Sequence, residues 1–136
     1  MAETMQFDLV SPERMLLSTK AVEVQIPGAD GDLTAMAGHA AVITTLRPGI
    51  LKVVAEGNTS EFAVTGGFAE ITPEGVTVMA ERSLPRAEMT SDVLRDWVAE
   101  ARKAKDEAHP TVADEAAKFL SDMVAMGGHI GLDSGE

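Results

Sequence analysis

Residues Gly31 to Gly49 read GDLTAMAGHAAVITTLRPG. This run is mostly apolar and rich in small residues, and turn formers bound it at Gly31 and at Arg47-Pro48-Gly49. Inside it, Leu33 to Ala37 and Val42 to Leu46 read as short strands flanking Gly38-His39. The pattern continues outward on both sides. Val22, Val24 and Ile26 alternate with Glu23 and Gln25, the signature of a half-buried strand, and the loop Gly28 to Asp32 follows. Earlier, Met5 to Val10 and Met15 to Leu17 are apolar runs separated by the turn Ser11-Pro12-Glu13-Arg14. Later come Ile50 to Ala55, a hairpin-type turn at Glu56-Gly57-Asn58, and Phe62 to Val64. Gly66-Gly67 reads as a tight connection to Phe68 to Thr72, and Pro73-Glu74-Gly75 turns the chain into Val76 to Met79. Short strands at this spacing predict a β-sandwich or barrel.

The period changes after Pro85. Thr90-Ser91-Asp92 offers a helix N-cap, and Leu94, Trp97, Val98, Ala101, Ala104 and Ala108 recur at helical spacing. His109-Pro110 stops that helix. Thr111 is the expected cap of a second helix, with Val112, Ala116, Phe119, Leu120, Met123 and Val124 as its apolar face. Gly127-Gly128 is its expected end, and His129 to Glu136 an expected frayed, flexible acidic tail. Two helices with a short joint predict an antiparallel hairpin. The expected division is a β-domain over 1–86 and a hairpin over 87–136.

Composition narrows the function. The chain has 136 residues and 45% hydrophobic content, enough for a real core. It has no cysteine, which excludes disulfides, thiol nucleophiles and Cys-based zinc sites. Twenty-two acids against eleven bases give a net charge of −11. That excess repels phosphate backbones and anionic lipid, so neither nucleic-acid binding nor direct lipid insertion is expected. The N-terminal MAETMQFDLV lacks the basic-then-apolar pattern of a signal peptide, and no apolar run is long enough to span a bilayer. The expectation is a soluble, cytoplasmic protein.

Chemistry is sparse. The histidines, His39, His109 and His129, show no metal-ligand spacing, so no metal is expected. His39 and Asp32 with Ser11 or Thr44 can be drawn as a nucleophile constellation, but sequence supplies no geometry for it. Gly28 to Gly31 and Gly66-Gly67 match neither phosphate-loop pattern, and no cofactor is expected. A compact β domain with a helical hairpin and no catalytic cluster reads as an interaction protein, with a free-standing binding module and a small hydrolase using His39 and Asp32 as competing readings.

The segments FDLVSPER (Phe7 to Arg14), GADGDL (Gly28 to Leu33), GHAAVITTLRPGILKV (Gly38 to Val53) and TGGFAEI (Thr65 to Ile71), in this order and spacing, carry a resemblance. With the helical hairpin they make the chain similar to the epsilon subunits of bacterial F-type ATP synthases, whose mitochondrial counterpart is called delta. The resemblance implies a flattened β-sandwich of about ten strands followed by the two-helix hairpin. It implies a non-catalytic subunit of the rotating central stalk, on the cytoplasmic face of the bacterial inner membrane. Such a subunit binds the gamma subunit and the c-ring and helps couple proton flow to ATP synthesis. It places Asp32 toward the polar loops of the ring, and Ser11, His39 and Thr44 toward gamma.

The C-terminal part departs from the family pattern. In many members the hairpin opens and its last helix enters the alpha/beta head, where basic side chains help it to block ATP hydrolysis. Here the second helix sets Asp114, Glu115 and Asp122 against Lys118. Like charges at a desolvated interface oppose docking, so the expected inhibition is weak or absent. Some members bind ATP through Ile/Leu-Asp-x-x-Arg-Ala. The nearest run, Val98 to Lys103, keeps Arg102 but has Ala99 for the Asp and Lys103 for the Ala. No tight ATP binding is expected.

Overall fold

A computed structural model describes residues 3–135. Met1 and Ala2 of the N-terminal run, on which the signal-peptide reading partly rests, lie outside the described residues, as does Glu136 of the tail. The chain divides into two compact units at the Arg86–Ala87 junction.

The first unit contains eight strands: β1 (Met5–Ser11), β2 (Arg14–Ala21), β3 (Glu23–Gly28), β4 (Gly31–Met36), β5 (Val42–Thr45), β6 (Gly49–Ala55), β7 (Asn58–Thr72) and β8 (Gly75–Pro85). They are hydrogen-bonded in the order β2-β1-β8-β7-β6-β3-β4, with β5 also on β7. β1 runs parallel to β8, and the other neighbours pair antiparallel.

The two longest strands make this ladder a sandwich. The first half of β7 pairs with β6 through residues 58–64, and its second half pairs with β5 through residues 68–71. Between them Gly66 and Gly67 have φ of 48° and 98°, which bends the strand. At Gly67 a side chain is impossible, since a β-carbon would stand 2.0 Å from the Met79 carbonyl oxygen. β8 likewise pairs with β1 early and only with β7 late. One layer is therefore β2-β1-β8-β7-β5 and the other β4-β3-β6-β7-β8, so the expected ten strands are eight, two of which serve both layers. Gly66-Gly67 is accordingly not a connection between strands, and β8 runs on to Pro85 instead of ending at Met79. The inward sides of both layers share one core that includes Phe7, Leu9, Ile26, Leu51, Ile71 and Val78, all 1% exposed or less. Aliphatic burial on this scale supplies most of the stabilisation.

The second unit is a hairpin of α1 (Ser91–Asp106) and α2 (Ala113–His129). Thr90 caps α1, its side chain accepting from the Val93 amide at 3.2 Å. Leu94, Trp97, Val98 and Ala101 form its buried stripe. Gly127 near the end of α2 meets Leu94 near the start of α1, which makes the pair antiparallel.

Two expectations here need correction. Thr111 does not cap α2: Pro110–Val112 forms a 3-10 turn first, and His109 Nδ1 accepts from the Thr111 amide at 3.2 Å. Gly127 and Gly128 lie inside α2, which runs to His129, and the chain turns out of the helix at Gly131, where φ is +76°. Leu132 N–H donates to the Gly127 carbonyl and Gly131 N–H to that of Gly128, the paired bonds of a Schellman cap. In the tail beyond, Arg95 donates to Asp133 at 3.1 Å and the Gly135 amide to Asp133 at 2.9 Å.

Candidate interaction surfaces

The register of the first layer aligns a row of side chains on its outward face. Thr45 pairs with Phe68, Phe68 with Met79, Met79 with Val10 and Val10 with Met15. Their inward-pointing neighbours Leu9, Ala69 and Val78 are fully buried, so strand alternation turns this row outward. Phe68, Met79 and Met15 are 38, 46 and 58% exposed, and Ile43 on β5 is 68% exposed. Aligned apolar side chains on a sheet face cost solvation free energy in isolation and mark a docking surface. The next row on the same face is polar and acidic: Glu70 pairs with Thr77, Thr77 with Asp8 and Asp8 with Ser18.

Ser11 and Thr44 are the chain neighbours of two residues in the row, Val10 and Thr45, and alternation turns Thr44 to the side of inward-pointing Ala69. Ser11 ends β1 next to Val10, and its Oγ donates to the Arg14 carbonyl at 3.3 Å. Thr44 lies on the edge strand β5, half-buried opposite Ala69, its hydroxyl donating to the Thr45 carbonyl at 3.3 Å. His39 sits at the other end of the layer, in the β4–β5 loop. Gly38 there donates to the Pro73 carbonyl at 2.9 Å, and His39 Nδ1 donates to the carbonyl of Ala40 at 2.9 Å.

Asp32 belongs to a different constellation. Gly28 faces Gly31 across a hairpin whose tip is Ala29-Asp30. The tip is fastened to the end of β5: the Ala29 amide donates to the Thr45 carbonyl at 2.8 Å and the Arg47 amide to that of Pro27 at 3.0 Å. The Arg47 side chain closes the join, donating from Nη1 to the Gly28 carbonyl at 2.6 Å and from Nη2 to Asp32 Oδ1. Asp32, His39, Ser11 and Thr44 thus each have a separate partner, and the structure does not assemble them as a catalytic group. The reading of the residues passed over Arg47 and the outward row. The row was legible as the complement of the buried alternation, whereas the partner of Arg47 lies fifteen residues away.

The face also carries an open depression of about 180 Å³ bordered by Asp8, Glu70 and Glu74. Small-molecule sites enclose roughly 300 Å³ or more, so it is no ligand pocket. Among the described residues no group of three or more His, Cys, Asp or Glu side chains is placed to hold a metal. Arg102 of the degenerate nucleotide motif is exposed on α1, next to buried Ala101.

An exposed apolar sheet face on a sandwich, with a separate helical hairpin, defines an interaction module. Residues 4–86 match the family model described as ATP synthase, Delta/Epsilon chain, beta-sandwich domain. The chain is 64% identical to the ATP synthase epsilon chain of Rhodobacter capsulatus over 97% of its length and 100% of that protein. It is 57% identical to that of Paracoccus denitrificans, covering 98% of this chain and 95% of the other. In fold it resembles a chain of the Euglena gracilis mitochondrial ATP synthase structure containing the c-ring, with TM-score 0.72, 22% identity and coverage of 93 and 81%. A chain of the Tetrahymena thermophila mitochondrial central stalk and c-ring structure gives TM-score 0.65 at 16% identity, covering 94 and 96%. The chain belongs to the ATP synthase delta/epsilon family. It is a non-catalytic subunit of the bacterial ATP synthase, and the hydrolase alternative falls away. Among the described residues no helix is long and apolar enough to cross a membrane.

Proposed function

We propose that this chain joins the gamma subunit of the central stalk to the c-ring and so helps couple proton flow to ATP synthesis, from the cytoplasmic face of the inner membrane. The sandwich is the rotor-binding part. The observation that carries the reading is the outward row Met15, Val10, Met79 and Phe68, of which Met15, Met79 and Phe68 are exposed, with Ser11 and Thr44 as chain neighbours of its members. Gamma covers this face, with His39 at its far end. The β3–β4 hairpin with Asp32 faces the polar loops of the ring.

The test is co-purification of the full chain with gamma. Phe68→Glu and Met79→Glu place charges in the row while leaving the inward core untouched, and they abolish the complex. Retention of gamma by both variants overturns the reading.

The hairpin is a weak inhibitor of ATP hydrolysis or none. Lys118, the one lysine of α2, is already held by Asp122 at 2.6 Å, which leaves Asp114 and Glu115 to meet any acidic partner in the head. Nor does the hairpin bind ATP tightly, since Ala99 offers no carboxylate beside Arg102.

A further inference from the structure

Building on the reading that the β3–β4 hairpin faces the c-ring, we infer that Asp30, not Asp32, is the acid that meets the ring. Asp32 is instead a positioning residue, which with Arg47 clasps the hairpin in place.

The hairpin carries two carboxylates with different fates. Asp32 is 77% exposed, so exposure alone would favour it as the contact residue. Its charge decides otherwise. Arg47, only 27% exposed, is committed to this join through Asp32 Oδ1 and the Gly28 carbonyl. An approaching group therefore meets Asp32 and Arg47 as a neutral pair, whose field falls off faster with distance than that of a single charge. Asp30 occupies the exposed tip, and among the described residues no hydrogen bond or ion pair engages it. Its carboxylate therefore has no cation beside it, among the described residues, to offset its field at the hairpin tip.

The geometry also explains why the tip is well placed. Gly28 and Gly31 face each other so closely that a β-carbon on Gly28 would stand 2.6 Å from the Gly31 carbonyl oxygen. Backbone bonds between Ala29 and Thr45 and between Arg47 and Pro27 tie the β3 side of the turn to the end of β5, and the Arg47–Asp32 pair holds its β4 side. The clasp thus fixes the position of the turn that carries Asp30, whose carboxylate suits a basic or hydrogen-bond-donating side chain on the ring loops. Charges at such a rim set the approach and the salt dependence of binding more than its total strength.

The experiment compares the affinity of the full chain for purified gamma alone with its affinity for gamma seated on the purified c-ring, at low and moderate salt. The gain supplied by the ring is the readout. Asp30→Asn reduces that gain about two- to five-fold at low salt, the range of an exposed ion pair. It also flattens the salt dependence, leaving affinity for gamma alone and the melting temperature unchanged. Asp32→Asn and Arg47→Met lower the melting temperature, and their loss of ring gain tracks that loss. Arg47→Lys recovers part of both. An unchanged, equally salt-dependent gain for Asp30→Asn overturns the inference. So does a salt-dependent loss for Asp32→Asn at unchanged melting temperature. If the ring adds no gain for the unaltered chain, the underlying placement of the hairpin fails instead.

Discussion

Gly127 of α2 lies against Leu94 of α1 so closely that a β-carbon on it would stand 2.3 Å from Leu94 Cδ2. Leu94 is fully buried, so its side chain can give way only by repacking its neighbours. Gly127→Ala therefore overpacks the hairpin by about 1–3 kcal/mol, less the roughly 1 kcal/mol of helix propensity that Ala gains over Gly. At Gly128 nothing lies within 4 Å of the added carbon. Gly128→Ala therefore stabilises the hairpin by about 0.8–1 kcal/mol. Trp97 is the chain's one tryptophan and sits in the hairpin, so its fluorescence during urea unfolding reports this unit. Shifts of the same sign for both variants would contradict the packing.

The α1 cap is a single bond from the Val93 amide to the Thr90 hydroxyl. Thr90→Ala removes it and lowers hairpin stability by about 1 kcal/mol, whereas Thr90→Ser keeps most of it. The Trp97 signal checks this as well. Equal unfolding midpoints for Ala and Ser would show the cap to be idle.

Gly67→Ala strikes the sandwich twice. It forces a side chain into φ of +98° and drives its β-carbon against backbone at Met79. Backbone strain alone costs roughly 1–3 kcal/mol, and the clash adds to it. Scanning calorimetry of the full chain is expected to show the sandwich transition lowered by many degrees or missing. A transition within a degree or so of the unaltered protein would mean that the strand bends elsewhere.

Asp133 is held below its ordinary carboxyl value of 3.8, first by the Gly135 amide and then by Arg95. The folded form thus stays ionised to lower pH than the unfolded form. This tie adds stability above the unfolded value and loses it as pH falls through the lower, folded one. The group is fully exposed, so the effect on the whole unit is small. The Gly135 amide shift, followed by NMR through an acid titration, is expected to move with a midpoint below 3.8. Asp133→Asn abolishes that step, and a midpoint above the ordinary value would disprove the arrangement.

Removing residues 87–136 from the chain is expected to leave ATP hydrolysis by the assembled complex little changed, because the acidic α2 is a poor match for an acidic segment of the head. Strong activation on truncation would disprove this.

Much of the sandwich was readable because one buried face writes itself as alternation, as at Val22 to Ile26 and Phe68 to Thr72. The continuity of β7 was not. A glycine pair reads the same whether it turns a chain or bends a strand, and only the different neighbours on either side, β6 and then β5, decide. The end of α2 failed for a related reason. Gly127 is a glycine because Leu94 needs the space, and the cap falls to Gly131. At the interaction surfaces, local pattern located the β3–β4 hairpin, but which of its acids is neutralised depends on Arg47, brought close only by the fold. The outward residues of the exposed row were legible strand by strand, but their alignment into a row required knowing which strands lie side by side.

The two strands shared by both layers have a mechanical consequence. In a sandwich held only by side chains, one sheet can slide over the other at the cost of repacking. Here sliding would have to stretch β7 and β8 across their own covalent backbones, with the bend at Gly66-Gly67 as the hinge point. A twisting load entering through the outward face of one layer therefore reaches the hairpin fastened at its margin with little elastic loss. Such stiffness suits the rotor role proposed for the sandwich.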